Sequence, residues 1–242
     1  MNMGTAEIHR VEWRGRTGPF TLELTPDVFA PTHVSRVLAE SLDIRAGDTV
    51  IDVGSGSGVL SFVAARLGAR RVFGCDISEE AVRVAKDNAR RLGLAGRTEF
   101  RSGDLFDPVR GISADVVIGD VAGIPDEIAA VSGWYPGGHA GGPTGAEVPV
   151  AMLESMGDCL KPGGRLYLPT ATIQDEERVI EAARRVFGPE NLQEVAEREF
   201  PLPALVAGSR ALARMMAEGW LRLRQRGSRF LWRMAVWRCQ RG

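Results

Sequence analysis

The stretch Thr49-Val-Ile-Asp52-Val-Gly54-Ser-Gly56-Ser-Gly58 carries most of what this chain says about itself. Residues 49–53 are apolar and β-branched apart from one acid, as a strand buried on both faces requires, and Leu60 to Leu67 has helical spacing straight after the glycines. Glycine at 54, 56 and 58 lets the backbone bend tightly and lets a ligand approach without meeting a Cβ. Further out, the run Arg71 to Cys75 ends in a second acid, Asp76, which predicts a second strand tipped by a carboxylate. Strand, glycine turn, helix, strand and acid make the nucleotide-binding half of a doubly wound sheet, with Asp76 placed for two ribose hydroxyls.

A dinucleotide fingerprint wants Gly-x-Gly-x-x-Gly, yet Val59 or Ser61 stands at the third glycine. Asp52 would also crowd a pyrophosphate at the helix N-terminus, so a cationic ligand suits the turn better. The run resembles the first motif of the class I S-adenosylmethionine-dependent methyltransferases, acid-x-Gly-x-Gly-x-Gly, at Asp52, Gly54, Gly56 and Gly58. The resemblance implies S-adenosylmethionine as cofactor and S-adenosylhomocysteine as product. It sets the backbone of Gly54, Ser55 and Gly56 against the methionine and ribose, with Asp52 drawing the α-ammonium directly or through water. It has Asp76 accept from the ribose hydroxyls, lays Ile77 on the adenine, and makes Asp104-Leu105 the adenine-recognition turn, where a plain turn cap is the alternative for Asp104. Lys161-Pro-Gly-Gly164 is similar to the family's turn before its fifth strand.

The chain has 242 residues, 44% of them hydrophobic and 25% charged, with a formal charge of -1, the profile of an ordinary soluble globular protein of one main domain. No apolar run approaches the ~20 residues of a membrane span, and the N-terminus lacks a signal peptide's basic flank and apolar core, so a cytoplasmic protein with no membrane partner is expected. Cys75, Cys159 and Cys239 are scattered and odd in number, which predicts neither a disulfide framework nor a metal site. From Gly208 onward nine arginines stand against one acid, Glu218; a solvated helix face with a charge-protected edge strand is the favoured reading, and an acidic partner such as RNA the second.

Ile8 to Trp13 and Phe20 to Leu24 alternate around Arg14-Gly-Arg-Thr-Gly18 and predict a hairpin, so residues 1–28 are read as a cover on a methyltransferase domain of residues 29–242. The spacing then predicts helix 34–42, strand 49–53, helix 57–67, strand 71–75, helix 78–92, strands 98–102 and 115–119, helix 147–160, strand 164–170 and helix 175–187. Strands over 192–200 and 229–238 flank a basic helix near 209–226. This α/β alternation demands a mostly parallel sheet, seven-stranded and Rossmann-like, and the closing pair resembles the antiparallel edge of the class I enzymes.

The fourth sheet strand ends at Asp120-Val-Ala-Gly-Ile-Pro125, where the family presents its acceptor. Release-factor glutamine and adenine methyltransferases carry Asn/Asp-Pro-Pro-aromatic there; Asp120 matches the first position, and Val121, Ala122 and Gly123 replace the rest. Gly137 to Glu147 still resembles the Gly-Gly-x-x-Gly segment of the glutamine-type enzymes. A scaffold of that branch without its amide clamp implies methylation of a peptide, protein or small biosynthetic intermediate at oxygen, carboxylate or hydroxyl. The alternatives are a side-chain or small amine, or a non-catalytic RNA-associated subunit. Asp120, His139, Tyr135 and His33 are the candidates for removing a proton or orienting the acceptor, with Asp120 also placed beside the cofactor.

Overall fold

The computed structural model describes residues 8–135 and 138–242. Strands β1 (His9–Trp13) and β2 (Phe20–Leu24) pair antiparallel, and helix α1 (His33–Ser41) follows. The nucleotide-binding half is β3 (Thr49–Val53), α2 (Val59–Leu67), β4 (Arg71–Asp76), α3 (Glu79–Arg91) and β5 (Thr98–Ser102). The next elements are β6 (Ala114–Gly119), α4 (Asp126–Ser132), α5 (Glu147–Ser155), β7 (Leu160–Ala171) and α6 (Glu176–Phe187). The chain closes with β8 (Leu192–Pro201), α7 (Ala204–Ala207), α8 (Arg210–Ala217), β9 (Arg224–Arg226) and β10 (Arg229–Gln240).

The main sheet runs β5-β4-β3-β6-β7-β10-β8, parallel from β5 to β7, with β10 antiparallel to both its neighbours. These are the seven expected strands; the three-residue β9, paired to β10, is an eighth that its arginine-rich sequence did not announce. Chain order climbs outward from β3 to β5 and then returns to place β6 on the other side of β3. That reversal leaves a crevice at the carboxyl ends of β3 and β6, the place where doubly wound sheets bind ligands.

Pleating sends alternate residues to opposite layers. Val50, Val116 and Ile118 join the core beneath α2 and α3, whereas Ile51, Val53 and Val117 join the one beneath α5 and α6. The hairpin shares the first of these cores through Trp13, Phe20, Leu22 and Leu24. It is also tied to α3 by the buried Asn88, whose Oδ1 accepts from the Glu23 N–H at 2.9 Å and whose Nδ2 donates to the Glu23 carbonyl at 3.1 Å.

Several boundaries differ from expectation for local reasons. The helix expected over 147–160 stops at Ser155, because Gly157 takes φ +48° and the chain tightens into a 3₁₀ turn. Lys161-Pro-Gly-Gly164 is a bulge within β7, opposite a register shift between Ala114 and Val116. The basic helix is only α8, ended by Gly219 at φ +87°, after which Leu221 turns into the core. Helix α4 was not expected, since its seven residues follow Pro125 without a full amphipathic repeat. Among the described residues no helix is long and apolar enough to cross a membrane, no cluster of three metal-ligating side chains occurs, and the three cysteines are buried.

Candidate active site

A cavity of about 1370 Å³ opens at the carboxyl ends of the parallel strands. Its floor is the β3–α2 turn, which is latched to the neighbouring strand. Gly54 and Ser55 both donate backbone N–H to the Cys75 carbonyl at 2.9 Å, and Gly56 donates to Asp76 Oδ2 at 2.8 Å. Asp76 Oδ1 accepts from the Ser78 N–H at 2.9 Å, so both carboxylate oxygens are oriented, each with one lone pair remaining. Ile77 projects beside it, 54% exposed and on the cavity wall. Gly103, Asp104 and Leu105 complete this end, with Leu105 held at φ +42°, a conformation that non-glycine residues adopt rarely and mostly where the surroundings impose it.

The three motif glycines do different work. Gly54, at φ +75°, lies against β6, and a Cβ there would stand 2.6 Å from the Asp120 carbonyl oxygen. Gly56, at φ +49°, has nothing within 4 Å of the same point, so its missing Cβ is open crevice. Gly58 is off the cavity; a Cβ would meet the Phe62 ring at 2.6 Å, which makes it a packing position and not the ligand contact expected from the motif.

Asp52 also departs from expectation. Two residues on from Val50, it shares that residue's face and points beneath α2, where its Oδ2 accepts from Ser61 Oγ at 2.6 Å. It is fully buried, absent from the cavity wall, and its Oδ1 has no partner among the described residues. Burial pushes its carboxyl up to about 7, against the Ser61 bond, with the charges of Asp120 and Asp76 adding to the rise. Direct contact with a ligand ammonium is therefore not available to this side chain as it stands.

Oriented acceptors at Asp76, an open crevice over Gly56 and a buried Ser55 hydroxyl on the wall that has no partner among the described residues fit a nucleoside-bearing ligand carrying a polar tail. A family model described as a methyltransferase domain matches residues 44–216, well over half of the chain. The chain belongs to that family. The family is that of the class I, S-adenosylmethionine-dependent methyltransferases, and S-adenosylmethionine is its cofactor. The chain is 42% identical over 124 residues to the ribosomal protein L11 methyltransferase of Pelotomaculum thermopropionicum, a match covering 49% of this chain and 39% of that protein. It is 33% identical over 166 residues to the release factor glutamine methyltransferase of Moorella thermoacetica, covering 64% and 58%. The chain thus spans about two to three fifths of the length of these curated relatives. In fold it resembles the T. thermophilus 16S rRNA N2 G1207 methyltransferase, solved with AdoMet and guanosine, with a TM-score of 0.66 at 17% identity over all of this chain and 52% of that one.

The far half of the cavity begins at Asp120, directly after β6. Burial pushes the Asp120 carboxyl up to about 6. Tyr135 is pushed up to about 12 by burial and then by Asp120's charge, with the Gly123 backbone offsetting part, and its ring stacks on Phe29 with centroids 5.6 Å apart. His33 and His139 line the same cavity from its exposed rim. Pro136 and Gly137, where the expected Gly-Gly-x-x-Gly segment begins, lie outside the described residues. Its later part is in place: Gly141 donates to the Ile124 carbonyl at 2.8 Å, and Gly142 to Asp126 Oδ1 at 3.0 Å. The structure therefore brings Asp120, Tyr135, His33 and His139 together with Gly54, Ser55, Gly56, Asp76, Ile77, Asp104 and Leu105 around one cavity, and leaves Asp52 and Gly58 out of its lining.

Among the wall residues that sequence reasoning missed are Gln174, Phe200 and Trp232. Gln174 is 3% exposed, with Nε2 unpartnered among the described residues and its carboxamide packed on Gly123. No local pattern marks it, since it sits in the turn between β7 and the N-cap of α6. Phe200 and Trp232 face each other across the β8–β10 pair, cross-strand partners in a register that only the folded edge reveals.

Proposed function

We propose that this chain transfers a methyl group from S-adenosylmethionine to a nucleophile that must shed a proton, an amine first and a hydroxyl second, on a protein or peptide acceptor. When bound, the cofactor supplies a sulfonium-borne methyl that passes to the acceptor's lone pair while the C–S electron pair returns to sulfur and S-adenosylhomocysteine leaves. In this reading Asp76 holds the ribose hydroxyls, Gly54, Ser55 and Gly56 receive the remainder, and Ile77, Asp104 and Leu105 border the adenine. Asp52 acts from behind, fixing the turn through Ser61. Residues 29–242 form the methyltransferase domain and the hairpin covers it, which their shared core supports.

The observation that carries the acceptor reading is charge. Asp27, Asp76, Asp104, Asp120 and Asp126 line the cavity, and no Lys or Arg does among the described residues. A carboxylate would meet only like charge there, so of the oxygen acceptors implied by the lost clamp, hydroxyl remains. An amine is drawn in as a cation and then needs a base; Asp120, ionised above about pH 6, faces that task at the strand end. A protein acceptor is supported by the names of the two relatives, both methyltransferases of translation proteins.

The test is a screen of labelled methyl transfer to peptides, small amines, carboxylic acids and RNA. Amine-bearing peptides or amines should take the label, and Asp120→Asn should lower kcat about 10²–10⁴-fold with cofactor affinity nearly unchanged. Wild-type activity should rise with pH through about 6. Label on a carboxylic acid, or full turnover in Asp120→Asn, would sink this assignment.

A further inference from the structure

The cavity is larger than the ~300–1,000 Å³ that holds one small ligand, and beyond the β3–α2 turn and Asp120 its lining continues to Phe200 of β8 and Trp232 of β10. The walls of that half are aromatic. His33, Phe200, Trp232 and Trp134 follow one another with ring centroids 6.3, 5.0 and 6.4 Å apart, and the stacked pair Phe29 and Tyr135 lines the same space. Trp232 belongs to the core, and Trp134 and Phe200 pack against it while staying half-buried; Phe29, 36% exposed, and the half-buried Tyr135 stand outside it. The rings come from the strap before α1 with α1's first residue, the loop after α4 and the β8–β10 edge, three separate segments converging on one space.

Resting on the methyltransferase reading above, we propose that this half of the cavity recognises an amine carried on an aromatic group. Ring faces attract both a second ring and an ammonium, the more so once water is excluded. Asp120, the ionisable group at the boundary between the two halves, takes the ammonium end, and among the described residues no Lys or Arg lines the cavity to hold a carboxylate in its place. Aliphatic amines satisfy Asp120 but leave the rings uncovered. Aromatic carboxylates cover the rings but are repelled at Asp120. The same chemistry occurs in a free arylalkylamine and in a peptide whose first residue is aromatic, and the cavity's size admits either.

The experiment is calorimetry on the full chain saturated with S-adenosylhomocysteine, with four probes: tryptamine, indole-3-propionate, n-butylamine and the peptide Trp-Gly-Gly. Tryptamine is expected to bind at least tenfold more tightly than indole-3-propionate, which has the same ring and spacer, and at least tenfold more tightly than butylamine. Trp-Gly-Gly binding better than tryptamine assigns the peptide source; the reverse assigns the small amine. Asp120→Asn should erase the amine-over-carboxylate preference, and Phe200→Leu the aromatic-over-aliphatic one, with S-adenosylhomocysteine affinity unchanged in both. Equal or tighter binding of indole-3-propionate, equal binding of butylamine, or no binding of any probe while S-adenosylhomocysteine binds, overturns the aromatic-amine proposal alone. Failure of S-adenosylhomocysteine itself to bind overturns both that proposal and the reading beneath it.

Discussion

Asp52 holds a buried carboxyl whose Oδ1 has no partner among the described residues, an arrangement that stability alone would not select. Its folded-state value of about 7 lies above the 3.8 of an ordinary carboxyl, so between those limits the folded chain keeps a proton that the unfolded chain has lost. Its favourable contribution is complete below pH 4 and is lost as pH rises through 7. Asp52→Asn removes the titration while keeping the shape and an oxygen for Ser61. At pH 8 the ligand-free variant should melt several degrees higher than wild type, reflecting roughly 2–4 kcal/mol, and its melting temperature should depend less on pH between 4 and 7. Thermal melts across that range check both points; a lower melting temperature at pH 8 would mean that the carboxylate is stabilised by something else. The same variant should bind S-adenosylmethionine more weakly if the turn's charge contributes to holding a cation, and Asp76→Ala more weakly still, since it removes the acceptor of the Gly56 N–H along with the proposed ribose contact. Calorimetry ranks the two.

At the scale of elements, the β3–α2 turn separates folding from binding within two residues. Gly54→Ala puts a methyl 2.6 Å from the Asp120 carbonyl, and the two strand ends must part to admit it. Gly56→Ala meets no protein atom within 4 Å and adds only the cost of a left-handed alanine, about 1–2 kcal/mol. Both should lose S-adenosylmethionine affinity at least tenfold, but denaturant melts should show Gly54→Ala losing clearly more stability than Gly56→Ala. Equal losses would mean that the β3–β6 contact is slack. The contrast also marks what could be read in advance. Period, glycine spacing and acids at strand ends are local signals, and they sufficed for β3, α2, β4, α3 and the crevice. Pleat parity sets Asp52 on the same face as Val50, but in a strand buried on both sides nothing local says that this face lies under α2, away from the cavity. Gln174 and the Phe200–Trp232 pair were beyond reach because each owes its position to a partner far along the chain: Gly123 for one, the β8–β10 register for the other. Position α4 and β9 failed for a different reason, being too short for periodicity to register.

For the whole molecule, the question is where the charge of the C-terminal arginines goes. Arg214 pairs with Glu127 of α4 at 2.6 Å, Arg222 with Glu177 of α6 at 2.8 Å, and Arg224 with Glu199 of β8. Arg233 is set among Glu176, Glu194 and Glu197, joining α6 to the sheet edge, and Arg241 meets Asp158 at 3.3 Å. Five of the segment's nine arginines are thus interleaved in space with the acids of the elements it wraps, which offsets part of its field at the distance of one side chain. A phosphate backbone would have to break these five pairings to use those arginines. Binding of single-stranded RNA at 150 mM salt should therefore be no tighter than the ~10⁻⁴–10⁻⁶ M of non-specific association. Changing Arg222, Arg224 and Arg226 to Ala together should alter it little, and should lower stability by only about 1–2 kcal/mol, because exposed pairs contribute roughly 0–1 kcal/mol each. Arg233→Ala, which strands three carboxylates around a side chain only 28% exposed, should lower stability more than the triple variant does. Filter binding over a salt series, with melts of both variants, measures all of this. Nanomolar RNA binding that falls steeply with salt and vanishes in the triple variant would make the arginines a nucleic-acid surface and return RNA to the list of partners.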